Sequence, residues 1–297
     1  MTANSLRAFL ELARSGSVRA AAARLHVTQP AVTAAVRALE RELRTSLVAR
    51  HGRGIVLTPA GEVLAGYAAR VLGLLEETRN AVREAADPER GRIRLVAVTT
   101  AGEHVLPSLI RDFRAAHPGV EVSLEVGNRS LVWERLRDRE ADVAVGGRPP
   151  TGLGFTGTAF RPNDLVIAGP PSMVLPREPA RAASLAEATW LLREEGSGTR
   201  ATAEEFFAGA GMAPPTLTIG SNGAIVESVA AGLGVTLISL DAVRRAAEMG
   251  AVRIVGVRGL PLHRDWYVVT RSGDEPRGAP AMFRAFLLHA SAASDHE

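Results

Sequence analysis

The spacing of apolar residues over the first 58 positions predicts three short helices followed by a β-hairpin. Polar or glycine-containing stops separate the helices, and Ser17 and Thr28 stand where N-caps belong. Pro30 is compatible with the third helix because it lies in the first turn. The expected elements are a helix ending near Ser15-Gly16, helices over residues 18–25 and 28–43, and a hairpin over residues 47–57.

A longer amphipathic helix is predicted directly after the hairpin. Thr58 is its N-cap and Pro59 its first residue, and the pattern ends at Asp87-Pro88. The apolar stripe runs close to heptad spacing and consists of Val63, Leu64, Tyr67, Val71, Leu74, Leu75 and Val82. An exposed amphipathic helix of this length usually packs against another helix.

Strand and helix patterns alternate from residue 89 onward, which is typical of a parallel α/β sheet. Pro149-Pro150 with Gly152 and Gly154 divide this region into two runs, and a late strand returns to the first run. Strands are expected at 92–98, 120–126, 142–145, 165–168, 190–193, 217–219, 234–237 and 266–270, and helices at 103–116, 131–140, 202–210, 224–231 and 281–289. The pattern predicts two Rossmann-like lobes, as in periplasmic binding proteins, with a ligand cleft between them.

Charge is concentrated at the N-terminal end. Residues 1–58 contain nine arginines and three acidic residues, whereas the whole chain carries a net charge of only +3. A basic head on a mildly acidic body indicates that one end meets a polyanion. The chain has no cysteine, which excludes disulfides and thiolate metal sites. We find no apolar run long enough for a membrane span and no signal peptide, so a cytoplasmic location is expected.

The third helix has the composition of a DNA-recognition helix. Gln29 and Thr33 offer short polar side chains to base edges, while Arg37 and the hairpin residues Arg50 and Arg53 offer charge to phosphates. The alternative is an ordinary alanine-rich helical bundle with a solvated basic face. The spacing and the charge favour DNA binding.

The run AAARLHVTQPAVTAAVRALERELRTSLVARHGRGIVLTPAG resembles the DNA-binding head of LysR-type transcriptional regulators. The resemblance implies a winged helix-turn-helix, linker helices that pair two subunits, and a tetramer built as a dimer of dimers. Two departures are present: Val48-Ala49-Arg50 lacks the usual wing phenylalanine, and Thr33 replaces the common serine. The candidate DNA-binding residues are Ser17, Thr28, Gln29, Pro30, Thr33, Arg37, Arg50 and Arg53.

A second candidate site lies where strands of the two lobes end. Residues 196–200 (GSGTR) join a strand to a helix, so backbone N–H groups and Arg200 are offered to an anion. Thr99-Thr100 occupy the matching junction of the first lobe, and further polar residues follow other strands. The candidate effector-binding residues are Thr99, Thr100, Asn128, Arg148, Ser197, Gly198, Thr199, Arg200 and Asn222.

Several segments of this region, among them EVGNRSLVWERL and LLREEGSGTRATAEEFF, are similar to the CbbR-like branch of the LysR family, which activates carbon-fixation (RuBisCO) operons. The resemblance implies a small anionic effector such as a phosphorylated sugar, a carboxylate or a nucleotide cofactor. Gly223 and Val226 replace the glutamate and lysine usual there, which leaves the ligand open.

The predicted organisation has three parts. Residues 1–58 form a winged helix-turn-helix domain, 59–88 a linker helix, and 89–297 an effector domain, with lobe 1 at about 89–148 and 264–297 and lobe 2 at about 149–263. The expected partners are double-stranded promoter DNA, a small anionic metabolite and further copies of the chain. RNA polymerase is an additional candidate, and no membrane is expected.

Other functions are less well supported by the sequence. No catalytic triad or paired carboxylate is recognisable, so an enzyme is not expected, and neither a cofactor nor a metal. Gly152, Gly154 and Gly157 match a dinucleotide-binding pattern, but Pro162 follows where a helix should run. His104 is expected at the surface. The remaining alternative is a two-lobed solute-binding protein without a transcriptional role.

Overall fold

The computed structural model describes residues 1–52, 54–87, 90–175 and 179–294, with side chains as far as residue 290. The chain forms two compact units. The first comprises Met1–Ala86 with the short segment Arg137–Glu140, and the second comprises the rest of the described chain. Within the described part, no helix combines the length and the apolar character that crossing a membrane requires.

The first unit begins with three helices, α1 (Ala3–Ser15), α2 (Val18–Leu25) and α3 (Gln29–Leu43). Both predicted caps are present: the Ser17 hydroxyl accepts from the Ala20 N–H, and the Thr28 hydroxyl from the Ala31 N–H. Phe9 and the α3 stripe form a buried core, which fixes how α3 presents its other face. The buried part of this stripe ends before Leu43. Leu43 is exposed because α3 stops there, where the backbone of Arg44 has left-handed dihedral angles.

A two-stranded hairpin and a long helix follow. Strands β1 (Val48–His51) and β2 (Gly54–Leu57) pair antiparallel, and α4 spans Pro59–Ala86. The Thr58 hydroxyl accepts from the Gly61 N–H. A Cβ at Gly61 would lie 2.0 Å from the Leu47 carbonyl oxygen, so the close approach of α4 to the hairpin requires glycine. Much of the predicted stripe is exposed on this chain: Val63, Tyr67, Val71, Leu74, Leu75 and Val82.

In the second unit, the first lobe is a five-stranded sheet of order β4-β3-β5-β12-β6. Its elements are β3 (Gly91–Val98), α5 (Leu106–Ala116), β4 (Val120–Gly127), α6 (Arg129–Arg137), β5 (Val143–Gly146), β6 (Phe155–Pro162), β12 (Asp265–Arg271) and α10 (Gly278–Ser294). Strand β3 runs parallel to β4 and β5, as predicted, but β12 is antiparallel to both β5 and β6. The sheet is therefore mixed.

The second lobe contains β7 (Leu165–Gly169), β8 (Trp190–Leu192), α7 (Gly198–Ala210), β9 (Thr216–Thr218), α8 (Asn222–Ala230), β10 (Thr236–Ser239), α9 (Leu240–Glu248) and β11 (Arg253–Val255). Strands β10, β7 and β11 form an antiparallel sheet, β8 and β9 form a parallel pair, and a bridge from Trp190 to Val235 joins the two. The chain crosses between the lobes twice, where the Asn163 N–H donates to the Arg264 carbonyl and Leu165 pairs with Leu262.

Three sequence interpretations need correction. Residues 155–162, for which no element was predicted, form β6 at the edge of the first sheet, where glycine and a terminal proline are tolerated. Lobe 1 therefore extends through this strand, and the boundary at 149 is too early.

The helix predicted from 103 starts as a π-helical turn, Ala101–Val105, and α5 begins at Leu106. The reason is that Pro107 has no N–H for a bond to the preceding turn. Helix α9 and strand β11 were not predicted.

Candidate functional site

The N-terminal turns of α3 form an exposed polar surface. The side chains of Gln29, Pro30 and Arg37 are exposed and Thr33 is half-buried. The Thr33 hydroxyl donates to the Gln29 carbonyl 3.1 Å away, so its lone pairs remain available as acceptors on this face. Ser17 and Thr28 act here as helix caps, which makes them positioning residues for the surface.

Arginines surround this surface. Arg41 and Arg44 line the same groove as Gln29 and Thr33, and Arg50 is exposed on β1. Glu40, the acidic residue of the groove, accepts a hydrogen bond from the Leu47 N–H and so helps to fix the start of the hairpin. Arg53, predicted on the wing, lies outside the described residues. The exposed groups suit a phosphate backbone.

A cavity of about 430 Å³ lies between the two lobes of the second unit. Seven of the nine predicted effector residues line it: Thr99, Thr100, Asn128, Arg148, Ser197, Gly198 and Thr199. They come from the ends of β3, β4 and β5 and from the start of α7. The volume suits a small metabolite.

The other two predicted residues have different surroundings. Arg200 does not line the cavity, because its Nε donates to Glu204 one turn along α7, at 2.8 Å, and its Nη1 to the Arg193 carbonyl oxygen. Asn222 is 1% exposed and lies behind the cavity wall. Its carboxamide accepts from Arg193 and donates to Thr100.

The cavity is rich in positive charge. Four arginines line it, and the one acidic residue among the described lining side chains is Asp265. The arginines are Arg129, Arg148, Arg264 and Arg193, of which Arg193 is paired with Glu194. The Arg148 guanidinium donates to the Tyr267 hydroxyl at 3.2 Å. This lining favours an anion over a neutral or cationic ligand.

Several hydrogen-bond donors at the cavity wall have no acceptor among the described residues. The Ser197 hydroxyl, on a side chain 9% exposed, caps no backbone N–H of α7, so the first-turn N–H groups of that helix stay open. The Thr100 hydroxyl accepts from Asn222, and its own proton has no acceptor among the described residues. The Thr99 hydroxyl has no proton left for a ligand, because it donates to the Gly127 carbonyl, and its oxygen accepts from Arg193. Thr100 and Ser197 are thus two of the lining hydroxyls whose protons are available to a ligand.

Arg193 is buried and paired with Glu194. Its Nε and Nη2 donate to the two carboxylate oxygens at 2.7 and 2.9 Å. Burial alone would raise the pKa of Glu194, but hydrogen bonding and charge from Arg193, together with the Glu194 backbone N–H, lower it below its ordinary value of 4.5. The Glu194 carboxyl is therefore ionised at neutral pH.

The sequence analysis missed several lining residues, of which Arg193 is the most consequential. It was counted as the last residue of a strand, but β8 ends at Leu192, so Arg193 stands at the strand end like Thr99 and Asn128. His263 to Tyr267 were missed because they lie at a crossing between the lobes, which no local pattern marks.

Comparisons with known proteins agree with this architecture. Residues 3–62 match the bacterial regulatory helix-turn-helix protein, lysR family, and residues 86–292 match the LysR substrate binding domain. The chain therefore belongs to the LysR family of transcriptional regulators. It is a DNA-binding regulator of transcription and not an enzyme, and its helix-turn-helix, followed along the chain by a two-lobed α/β domain, confirms the predicted fold class.

Individual relatives cover nearly the whole chain. It is 34% identical to a RuBisCO operon transcriptional regulator of Acidithiobacillus ferrooxidans, over 98% of this chain and 94% of that protein. It is 33% identical to the regulator CfxR of Cupriavidus necator, over 98% and 92%. Among solved structures, the Synechocystis CcmR regulatory domain in complex with 2-PG is 27% identical, with a TM-score of 0.64, over 67% of this chain and 97% of that one. Full-length CbnR complexed with its target DNA shares the fold, with a TM-score of 0.70 at 24% identity over 99% and 100%.

Proposed function

We propose that this regulator controls a carbon-fixation operon in response to a small anionic metabolite held between its two lobes. The lining of the cavity is the observation that supports an anionic ligand. Arginines there surround the open N-terminus of α7 and the hydroxyls of Thr100 and Ser197. The gene class is supported by relatives of almost equal length that are named as RuBisCO operon regulators.

The first ligand to test is 2-PG, because the regulatory domain of CcmR was solved with it. In this chain the anion accepts from the first-turn N–H groups of α7 and from Ser197 in lobe 2. It accepts from Thr100 in lobe 1, and Arg129 and Arg148 neutralise the remaining charge. Contacts from both lobes stabilise the closed cleft, and closure shifts the population of regulator states.

At the other end of the chain, Gln29, Pro30 and Thr33 contact base edges in the major groove. Arg37, Arg50 and Arg53 contact phosphates, and Ser17 and Thr28 hold the helices that carry them. The exposed stripe of α4 pairs two subunits, and two such dimers form the tetramer. We propose a cytoplasmic protein that binds promoter DNA with dyad symmetry and has RNA polymerase as a further partner.

The division of labour follows these elements: residues 1–58 bind DNA, 59–88 dimerise and 89–297 bind the effector. Pro88 and Glu89, at the second boundary, lie outside the described residues. The alternative of a solute-binding protein without a transcriptional role is not favoured, since it leaves the helix-turn-helix without a purpose.

Calorimetric titration of the full-length protein tests the ligand. We expect 2-PG to bind the parent protein and Arg148→Ala and Ser197→Ala to weaken binding about tenfold or more, since each removes a charged or buried contact. Arg200→Ala is the matched control, because this arginine is outside the cavity, and it should bind as the parent does.

Footprinting on the protein's own upstream region tests the operon. A protected site with dyad symmetry whose extent changes with the bound anion supports the proposal. Failure of every phosphorylated or carboxylated metabolite tested to bind the cavity would overturn the ligand class. If the protein responds to anions but has no DNA-binding site near carbon-fixation genes, only the proposed class of target genes is wrong.

A further inference from the structure

Four side chains form a polar chain across the lobe boundary, at the floor of the cleft. Asn222 Nδ2 donates to Thr100 Oγ1 at 2.8 Å, and Arg193 Nη1 donates to Asn222 Oδ1 at 2.7 Å. Arg193 Nη2 also donates to Thr99 Oγ1 at 3.3 Å. Arg193 and Asn222 belong to lobe 2, and the two threonines directly follow strand β3 of lobe 1. We call these four residues the latch.

The latch has few alternative partners where it lies. Asn222, Thr100 and Arg193 are 1%, 6% and 5% exposed, so their hydrogen bonds are made to one another and not to solvent. Of the four latch residues, Asn222 lies behind the cavity wall, whereas Arg193, Thr99 and Thr100 line the cavity, so the latch lies directly beside the ligand space. Separating the lobes breaks every bond of the latch that crosses the boundary.

Glu194 orients the guanidinium of Arg193. It binds Nε and one side of Nη2, which leaves Nη1 and the remaining N–H of Nη2 for Asn222 and Thr99. The planar guanidinium fixes these directions, whereas a lysine ammonium supplies no such fork. Because its charge is already paired, Arg193 is better suited to hold the lobes together than to neutralise a ligand.

We infer that Arg193 and Asn222 are positioning residues that set the ligand-free angle between the lobes, by latching lobe 2 to Thr99 and Thr100. The inference rests on the proposed ligand cleft. Through Thr100, the latch also directs the remaining hydroxyl proton toward the ligand, since the Thr100 oxygen is occupied by Asn222. The latch therefore presets the cleft before the ligand arrives.

The absence of cysteine allows a direct measurement of the lobe angle. Spin labels on Ala115→Cys in α5 and Ala208→Cys in α7, both exposed positions, report the distance between lobes in the full-length, ligand-free protein. Singly labelled proteins identify any distances between subunits. The latch variants are Asn222→Ala and the isosteric Thr100→Val, with Thr100→Ser as the conservative rescue.

We expect one narrow inter-lobe distance in the parent and a second, displaced distance in both latch variants. Loss of one net hydrogen bond corresponds to a roughly fivefold rise in the ratio of displaced to native forms. Thr100→Ser should restore the parent distribution because it keeps the hydroxyl. Thr218→Val, at an exposed threonine outside the latch and the cleft, is the matched control. If Asn222→Ala fails to fold, Arg193→Lys tests the same bonds.

The inference is overturned if the latch variants keep the parent distribution, or if Thr100→Ser behaves as Thr100→Val does, since the hydroxyl alone would then not set the distance between the lobes. Titration with 2-PG separates this result from failure of the proposed function. If 2-PG binds the parent protein and the latch variants keep the parent inter-lobe distance, only the inference about the latch is wrong. If no anion binds and the variants still shift the distance, the latch stands and the ligand proposal fails.

Discussion

The Asp241 carboxylate accepts a hydrogen bond from the indole N–H of Trp266 at 2.8 Å, and this bond joins the second lobe to the first. Arg161 of strand β6 donates to the other carboxylate oxygen at 3.1 Å. Trp266 is 3% exposed, so its indole N–H is largely shielded from bulk water. The lobes are thus joined close to their crossing segments by a carboxylate with two partners.

Replacing Asp241 with alanine should lower the stability of the effector domain. The Trp266 N–H would lose its acceptor in a buried place, which costs about 1–3 kcal/mol. We expect a lower midpoint in urea unfolding of the full-length protein, followed by tryptophan fluorescence.

Asp241→Asn is the control, because an amide oxygen still accepts from Trp266 and only the charge toward Arg161 is lost. It should lower the midpoint less than alanine does. Equal midpoints for the parent and Asp241→Ala would show that the bond contributes nothing to stability.

Two substitutions on α3 should separate base reading from charge. Gln29→Ala removes a side chain suited to base edges, so discrimination between the target site and a site with one altered base pair should fall, by about 1–3 kcal/mol. Arg37→Ala removes a phosphate contact, so affinity should fall on all sequences alike, and the slope of log K against log salt should shrink by about 1.

Gel shifts at several salt concentrations, on both sites, measure the two effects. An Arg37→Ala protein that changes base preference without changing the salt slope would contradict this assignment.

The exposed stripe of α4 should control assembly. Leu74→Glu, combined with Tyr67→Glu, puts charge on an apolar surface that two helices would share, and we expect the protein to sediment as smaller species. Arg83→Glu is the control, since residue 83 follows residue 74 by nine positions, which places it on the opposite side of the helix. Analytical ultracentrifugation gives the size. If only Arg83→Glu dissociates the protein, the interface between subunits lies on the opposite face of α4.

Acid should weaken the contribution of the Arg193–Glu194 pair. The pKa of Glu194 is lowered in the folded protein from its ordinary value of 4.5, so the ionised carboxylate adds stability above about pH 4.5, and this is lost as the pH falls through the folded value. Glu194→Gln should be less stable than the parent at neutral pH, and the gap should narrow below about pH 4.5.

Unfolding midpoints between pH 7 and pH 3 give both curves. Glu195→Gln, at the exposed neighbour, should run parallel to the parent. A constant gap between Glu194→Gln and the parent down to acid unfolding would mean that the pair adds no pH-dependent stability.

Local patterns were sufficient for the N-terminal unit. Ser17, Thr28 and Thr58 each begin a helix as predicted, because a cap acts within three residues of itself. Thr100 and Asn128 likewise lie at one cavity, since the carboxyl ends of the parallel strands β3 and β4 share an edge of the sheet, and Ser197 lines the same cavity from the other lobe.

The sequence was less informative where partners are distant along the chain. Arg200 lies next to the anion site in sequence, yet its side chain is held by Glu204. Asn222 was predicted to bind the effector but lies behind the cavity wall, held by Arg193 and Thr100, which are 29 and 122 positions away. Strand β6 was missed because its pairing with β12 depends on residues more than 100 positions later. No window of local sequence contains such information.

Residues 263–267 both line the cavity and connect the lobes. In the proposed regulator, the stretch of backbone that senses the metabolite is thus also a joint about which the lobes turn. A change made there to alter which metabolite is recognised also alters how strongly recognition is converted into movement. Engineering a biosensor with new specificity and an unchanged response should therefore begin at Asn128, Arg148 and Ser197, which contact the ligand space from outside the joint.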